Sequence, residues 1–151
     1  MKITAQLLKS NGVCARVVNK FAGRFPDGVL VTESLCVQQG RDWNWDEGAR
    51  RLLRPSARDK YARARDTALR AHNRAIAPNR GKYDRAIAAA LVEFERDADQ
   101  FAYNRAIAPM RVAYNHACAE AQAKFELALA SAFGLLAEAE AAEASAQAAE
   151  R

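Results

Sequence analysis

An eleven-residue repeat runs from Tyr61 to about Ala146 and limits what this chain can fold into. Each copy begins with a large side chain, and successive copies start 11 residues apart except for one step of 9 residues. The copies begin at Tyr61, His72, Tyr83, Phe94, Tyr103, Tyr114, Phe125 and Leu136. Eleven residues make three turns at about 3.67 residues per turn, close to the ~3.6 of an α-helix. The repeat therefore predicts long helices with one constant face.

The repeat places apolar side chains in a stripe along that face. The first position of each copy is large, the fourth is mostly alanine, and the fifth and eighth are mostly apolar. These positions lie on one side of an α-helix. We expect helix packing through Tyr61, Ile76, Tyr83, Ile87, Phe94, Tyr103, Ile107, Tyr114, Phe125 and Leu129. One helix cannot bury this stripe alone, so its partner is either another part of the chain or a second copy.

Two prolines, Pro78 and Pro109, interrupt the repeat away from the stripe. An interior proline costs about 3 kcal/mol and bends or ends a helix. If both are turns, helices near 56–77, 79–107 and 110–147 form an antiparallel bundle; if both are kinks, the region is one bent rod. The nine-residue step would rotate the stripe by about 200° in a continuous rod. The sequence therefore favours the folded-back bundle.

The chain divides into three regions of different composition, and an all-α fold is expected. Residues 1–55 hold both tryptophans and five of the seven glycines, which predicts a small N-terminal helical module. Residues 56–136 are the repeat region, and 137–151 form an Ala/Glu-rich tail whose order the composition leaves open. We expect the module to pack against the first turns of the repeat region.

Trp43 and Trp45 are the most prominent side chains of the module. Because they are two residues apart, they cannot share one helical face. We expect one tryptophan in the core and the other at the edge of the module, where it is a candidate for a binding contact.

Composition indicates the cellular compartment of the protein and the kinds of site that it is expected to lack. No run of about 18 apolar residues occurs, so no membrane span is expected, and the first residues lack the apolar stretch of a secretory signal. Cys14, Cys36 and Cys118 are odd in number without paired spacing, which is typical of a reduced, cytoplasmic protein. With two histidines and no CxxC motif, the sequence predicts neither a metal site nor a cofactor.

Charge is distributed unevenly. Residues 50–85 hold twelve basic and three acidic side chains, a net charge of +9. Residues 117–151 hold two basic and six acidic side chains, a net charge of −4. Contact between these two regions would be electrostatically favourable.

The third position of the repeat is arginine in most copies, and the sequence places it beside the apolar stripe. With neighbouring basic residues it forms a predicted basic ridge: Arg63, Arg74, Arg85, Arg96, Arg105, Arg70, Arg80 and Lys82. Such a ridge suits an acidic protein surface or, without base readout, the phosphates of a nucleic acid. A solvated helix flank with ordinary ion pairs is the alternative.

The N-terminal module resembles a known group of proteins. The segments KITAQLLKSNGVC (2–14), FAGRFPDGVLVTESLCV (21–37) and DWNWDEGARRLL (42–53) look like a module of small uncharacterised phage and prophage proteins. There it precedes eleven-residue repeats rich in Ala, Pro, Arg, Glu and Tyr. The resemblance covers nearly the whole chain. It implies a phage accessory protein in the cytoplasm of a bacterial host and carries over no catalytic residues.

No catalytic motif is present, so the sequence predicts a non-enzymatic protein. The acidic residues between 93 and 99 are expected to be ordinary exposed charges. The favoured function is binding to a host protein or protein complex, with an anti-CRISPR-like inhibitor of host defence as its concrete form. The alternatives are sequence-indifferent nucleic-acid binding through the basic ridge and a structural, self-assembling coiled coil. A homo-oligomer is expected, without a membrane partner.

Overall fold

The computed structural model describes residues 1–150. Within them the fold is all-α, as predicted, with six helices and one small two-stranded antiparallel sheet. The elements are β1 (Lys2–Ile3), α1 (Ala5–Ser10), α2 (Ala15–Arg24), β2 (Val29–Leu30), α3 (Glu33–Gln39), α4 (Trp45–Leu52), α5 (Pro55–Asp97) and α6 (Gln100–Ala149).

The chain forms two compact units. We call Ala68–Phe125 the hairpin unit. The other, the terminal unit, combines Met1–Thr67 with the part of α6 that starts at Glu126. Residues 1–55 therefore lie within a larger unit, and the 56–136 repeat region is divided between the two units.

Side-chain caps fix where the short helices of the terminal unit begin. Thr4 Oγ1 accepts a hydrogen bond from the Leu7 N–H at 3.1 Å, at the start of α1. The Thr32 hydroxyl and the Asn44 amide oxygen do the same at α3 and α4. Each cap satisfies an N–H that has no partner inside its helix.

Both ends of the repeat region complete the core of the terminal unit. The Tyr61 hydroxyl donates to Asp46 Oδ1 at 3.0 Å, which joins the start of α5 to α4, as expected. Near the other end of the repeat, the Phe133 ring is almost fully buried and lies 5.4 Å from the Trp45 ring. The sequence did not predict this second contact.

The acidic end of α6 binds the starts of two other helices. Glu138 Oε1 accepts from the Glu33 N–H at 3.1 Å, and Glu140 Oε1 accepts from the Arg54 N–H at 2.6 Å. Carboxylates are stabilised at helix N-termini because the backbone N–H groups there carry partial positive charge. The first residues of the Ala/Glu-rich tail are thereby packed, and its helix extends to Ala149.

The hairpin unit consists of parts of α5 and α6 packed antiparallel, large ring against large ring. The ring centroids are separated by 5.9 Å for His72–Phe125, 5.6 Å for Tyr83–Tyr114 and 6.0 Å for Phe94–Tyr103. From one pair to the next, the α5 partner advances by eleven residues and the α6 partner moves back by eleven, so the repeat is in register with itself. Its packing partner here is the same chain.

The chain reverses at Ala98 and Asp99, inside the shortened copy of the repeat (94–102). Ala98 adopts a positive φ of 54°, and Asp99 Oδ1 accepts from the N–H groups of Phe101 and Ala102 at 2.9 and 3.0 Å. The nine-residue step therefore belongs to a turn, where no stripe has to continue.

The prediction of three helices separated by Pro78 and Pro109 is wrong, although a folded-back arrangement is present. Both prolines lie inside long helices and are exposed. Each removes one backbone N–H, which leaves the carbonyl groups of Arg74 and Arg105 without their helical donors. Because these residues are also exposed, water can bind the carbonyl groups.

Candidate binding surface

The predicted stripe is structural. All ten of its residues are buried or half-buried. Tyr61 and Leu129 belong to the terminal unit, and the other eight belong to the hairpin unit. Midway between two ring pairs, Ala90 and Ile107 are each only 5% exposed. These side chains hold the helices together and leave the outer surfaces of the helices for binding.

All eight residues of the predicted basic ridge are exposed, and they are divided between the two units. Arg63 belongs to the terminal unit, while the other seven belong to the hairpin unit. Of those seven, Arg105 lies on α6 and the rest lie on α5.

The third position of the repeat is not beside the stripe, and that part of the prediction is wrong. A residue two positions after the ring lies about 200° around the helix from it. It is therefore nearly opposite the packed face. Arg74 and Arg85 consequently lie on the edge of the hairpin unit that faces away from α6, and Arg105 lies on the opposite edge.

Ion pairing reduces the available part of the basic surface further. Arg96 Nη2 lies 2.5 Å from Glu93 and 2.9 Å from Asp97, and the hydrogen bond to Asp97 and the charge of Glu93 raise the pKa of Arg96. Arg80 lies 3.9 Å from Asp84. No acidic side chain within residues 1–150 pairs with Arg74, Lys82 or Arg85. We call the set without Arg96 the α5 basic face: Arg70, Arg74, Arg80, Lys82 and Arg85.

The α5 basic face is confined to a short stretch of α5, where Arg80 and Lys82 project to different sides of the helix, and it ends before the turn. Residues 70–85 carry five basic side chains and one acidic side chain, a net charge of +4 over roughly 24 Å of helix. Residues 93–99, at the turn, carry four acidic side chains and one basic side chain, a net charge of −3. The charge thus changes sign along α5, and the attraction for an anionic partner is concentrated on the basic segment.

The remaining titratable groups form no recognisable catalytic arrangement in the part of the chain that the structure describes. His116 lies 3.9 Å from Glu120, and both are exposed. No cluster of three or more His, Cys, Asp or Glu side chains suited to a metal ion occurs among residues 1–150. None of the described helices has the length and apolar character required to cross a membrane.

The terminal unit contains a cavity of about 790 Å³ that the sequence did not reveal. Trp43 and Trp45 both line it, and both are half-buried, in contrast to the expected division into a core and an edge residue. Cys36 and Gln39, one turn apart on α3, also line it. Their helical spacing was the only signal in the sequence that could have paired them.

Comparisons with protein-family models, with curated proteins and with solved structures each return no match to this chain.

Proposed function

We propose that the chain is a non-enzymatic binding protein whose α5 basic face docks on an acidic patch of another protein. The observation that carries this proposal is the exposure of five basic side chains in four helical turns, among which Arg74, Lys82 and Arg85 lack an acidic partner within residues 1–150. Unpaired charges of one sign steer a complementary surface and fix its orientation.

Charge at the turn favours a protein partner over nucleic acid. A nucleic acid lying along the hairpin unit would bring its phosphates close to the acidic residues between 93 and 99, which repel them. Side chains suited to base stacking are also scarce on this edge, where alanines such as Ala71 and Ala77 separate the basic residues. A bounded acidic patch of about 24 Å fits the basic segment better.

The resemblance to small phage proteins supplies the biological setting of the proposal. In that setting the chain acts in the cytoplasm of a bacterial host and its partner is a host protein. Occupying an acidic surface of a defence complex, as an anti-CRISPR inhibitor does, is the specific form that we propose.

The test is a titration of the protein against three fluorescent probes at several salt concentrations. The probes are a polyglutamate peptide, a duplex DNA and a single-stranded RNA, followed by anisotropy. We expect the peptide to bind, with an affinity that falls as salt screens the charges. Preferential binding of DNA or RNA with a steep salt dependence would instead support the nucleic-acid alternative. Binding of none of the probes at low salt would contradict the proposal.

Self-association is a second candidate, because the hairpin unit leaves apolar side chains exposed. Val92, Phe101 and Val112 are 65%, 72% and 66% exposed. Light scattering after size exclusion tests this candidate. A dimer that becomes monomeric on Val92→Asp and Val112→Asp substitution would support an interface on these helices. A monomer at all concentrations would contradict self-association.

A further inference from the structure

We propose that the cavity of the terminal unit is a binding site for a small, neutral, largely aromatic molecule that carries one O–H or N–H donor. Its volume of about 790 Å³ falls within the roughly 300–1,000 Å³ typical of small-molecule sites. The site is separate from the α5 basic face and does not depend on the function proposed for that face.

Aromatic rings form much of the wall. The Phe21 and Trp43 rings meet edge to face with centroids 5.8 Å apart, and the Trp45 and Phe133 rings lie 5.4 Å apart. Trp45 Nε1 donates to the Gly40 carbonyl at 2.6 Å, so the one polar group of this indole already has a partner. The wall therefore favours a flat apolar ligand, which can pack edge to face or offset against these rings.

Gln39 supplies the polar contact that such a ligand would need. Its side chain is 8% exposed, and Oε1 accepts no hydrogen bond from any residue in 1–150. A buried acceptor without a partner is costly, because it has lost its water and gained nothing in return. Oε1 has almost no accessible surface, so the Gln39 amide must turn towards the cavity before a ligand O–H or N–H can reach Oε1 and remove this penalty.

The other polar groups of the lining argue for a neutral ligand. Burial, and secondarily the charge of Glu138, raises the pKa of the Cys36 thiol to about 12, which keeps it protonated. Arg51 and Glu47 pair with each other, and Arg51 Nη1 also donates to the Asn11 carbonyl at 2.5 Å.

Two further charged lining groups, Lys20 and Asp42, are occupied as well. Lys20 Nζ donates to the Asp42 carbonyl at 2.9 Å, and the Asp42 carboxylate pairs with Arg24 at 2.7 Å. Arg16, the last charged residue of the lining, is exposed to solvent. No unsatisfied charge therefore faces the interior.

The test compares two probes, 2-naphthol and 2-methoxynaphthalene, in the second of which a methyl group replaces the hydroxyl proton. Binding is followed by the indole N–H signals of Trp43 and Trp45 in ¹H–¹⁵N NMR spectra. We expect both signals to shift saturably with 2-naphthol, and 2-methoxynaphthalene to bind roughly five- to tenfold more weakly for lack of the hydrogen bond. Unmoved indole signals at millimolar 2-naphthol, or equal affinities for the two probes, would overturn the proposal.

Gln39→Met removes the acceptor with little change of shape, and Gln38→Met is the matched control, since Gln38 is exposed on the same helix. We expect Gln39→Met to abolish the difference between the probes and Gln38→Met to preserve it. Persistence of the difference in Gln39→Met would assign the contact to another group and contradict the proposal. If circular dichroism shows that Gln39→Met does not fold, the comparison of the two probes on the wild-type chain decides alone.

Discussion

Ala98 adopts a backbone conformation that a residue with a Cβ rarely takes. Its φ of 54° lies in the left-handed region, where a non-glycine residue loses about 1–2 kcal/mol. Its N–H donates to the Phe94 carbonyl at 2.7 Å, which closes the last turn of α5. Glycine is the usual residue at this position of a helix end. No glycine marks the turn in the sequence, and this contributed to the prediction of turns at the prolines instead.

Ala98→Gly should increase the free energy of unfolding by about 1 kcal/mol, because glycine adopts this φ without steric cost. Urea denaturation monitored by circular dichroism measures the change. Ala88→Gly is the control, since Ala88 is exposed inside α5 and glycine there should lower stability by about 1 kcal/mol. A loss of stability in both variants would contradict the turn geometry.

Cys36 should make the stability of the protein depend on alkaline pH. Burial raises its pKa from 9.0 to about 12 in the folded state. Because the folded state holds this proton more tightly, the stabilising contribution is complete below pH 9 and is lost as the pH rises towards about 12. Cys36→Ala should therefore flatten the decline of unfolding free energy between pH 8 and pH 10.

Urea denaturation of the wild-type chain and of Cys36→Ala across this pH range measures how steeply the free energy of unfolding falls with pH. The window stays at or below pH 10 because Tyr61, whose pKa is also raised by burial and by Asp46, contributes above it. Equal slopes for the wild-type chain and Cys36→Ala would exclude the Cys36 thiol as the source of this pH dependence.

Among the elements, the two long helices could be predicted in part. Periodicity alone identified the ring positions that pair across the hairpin unit, because a buried face constrains residue type at every turn. Periodicity could not place the turn. Pro78 and Pro109 are the strongest helix breakers in the region by residue type. The helix nevertheless continues through each of them, because each proline lies on the side exposed to solvent.

Replacing either proline by alanine should stabilise the hairpin unit. Pro78→Ala and Pro109→Ala each restore a backbone hydrogen bond and improve helix propensity, for a gain of up to about 3 kcal/mol. Thermal and urea denaturation of the single variants measure it. A decrease in stability would show that the proline bends are required for the rings to meet.

The candidate surfaces were predictable in residue type and not in arrangement. The exposed arginines could be named from the repeat, because basic residues at a constant position of a helix seldom face a core. Their division between two edges depends on the antiparallel register of Tyr83 with Tyr114, which is a contact distant in sequence. The cavity requires Gln39, Trp45 and Phe133 to converge from three helices, and no local pattern specifies that convergence.

At the scale of the whole molecule, a docking surface has to consist of side chains that remain exposed after the helices have packed. In the hairpin unit the side chains of the stripe pack against each other within the chain. In the terminal unit Glu138 and Glu140, at the acidic end of α6, accept hydrogen bonds from backbone N–H groups where two other helices begin. On the α5 basic face, Arg74, Lys82 and Arg85 have no acidic partner among residues 1–150. Within the described residues, these three charges are therefore the ones that the proposed partner would contact.

The most direct measurement compares two double charge reversals in binding to a labelled polyglutamate peptide. Arg74→Glu with Arg85→Glu changes the α5 basic face, and Arg105→Glu with Arg111→Glu makes the same change of net charge on exposed residues of α6. We predict a loss of affinity on the order of tenfold or more for the first variant and a loss below about threefold for the second. Equal losses would mean that only net charge matters, and that result would contradict a docking surface on α5.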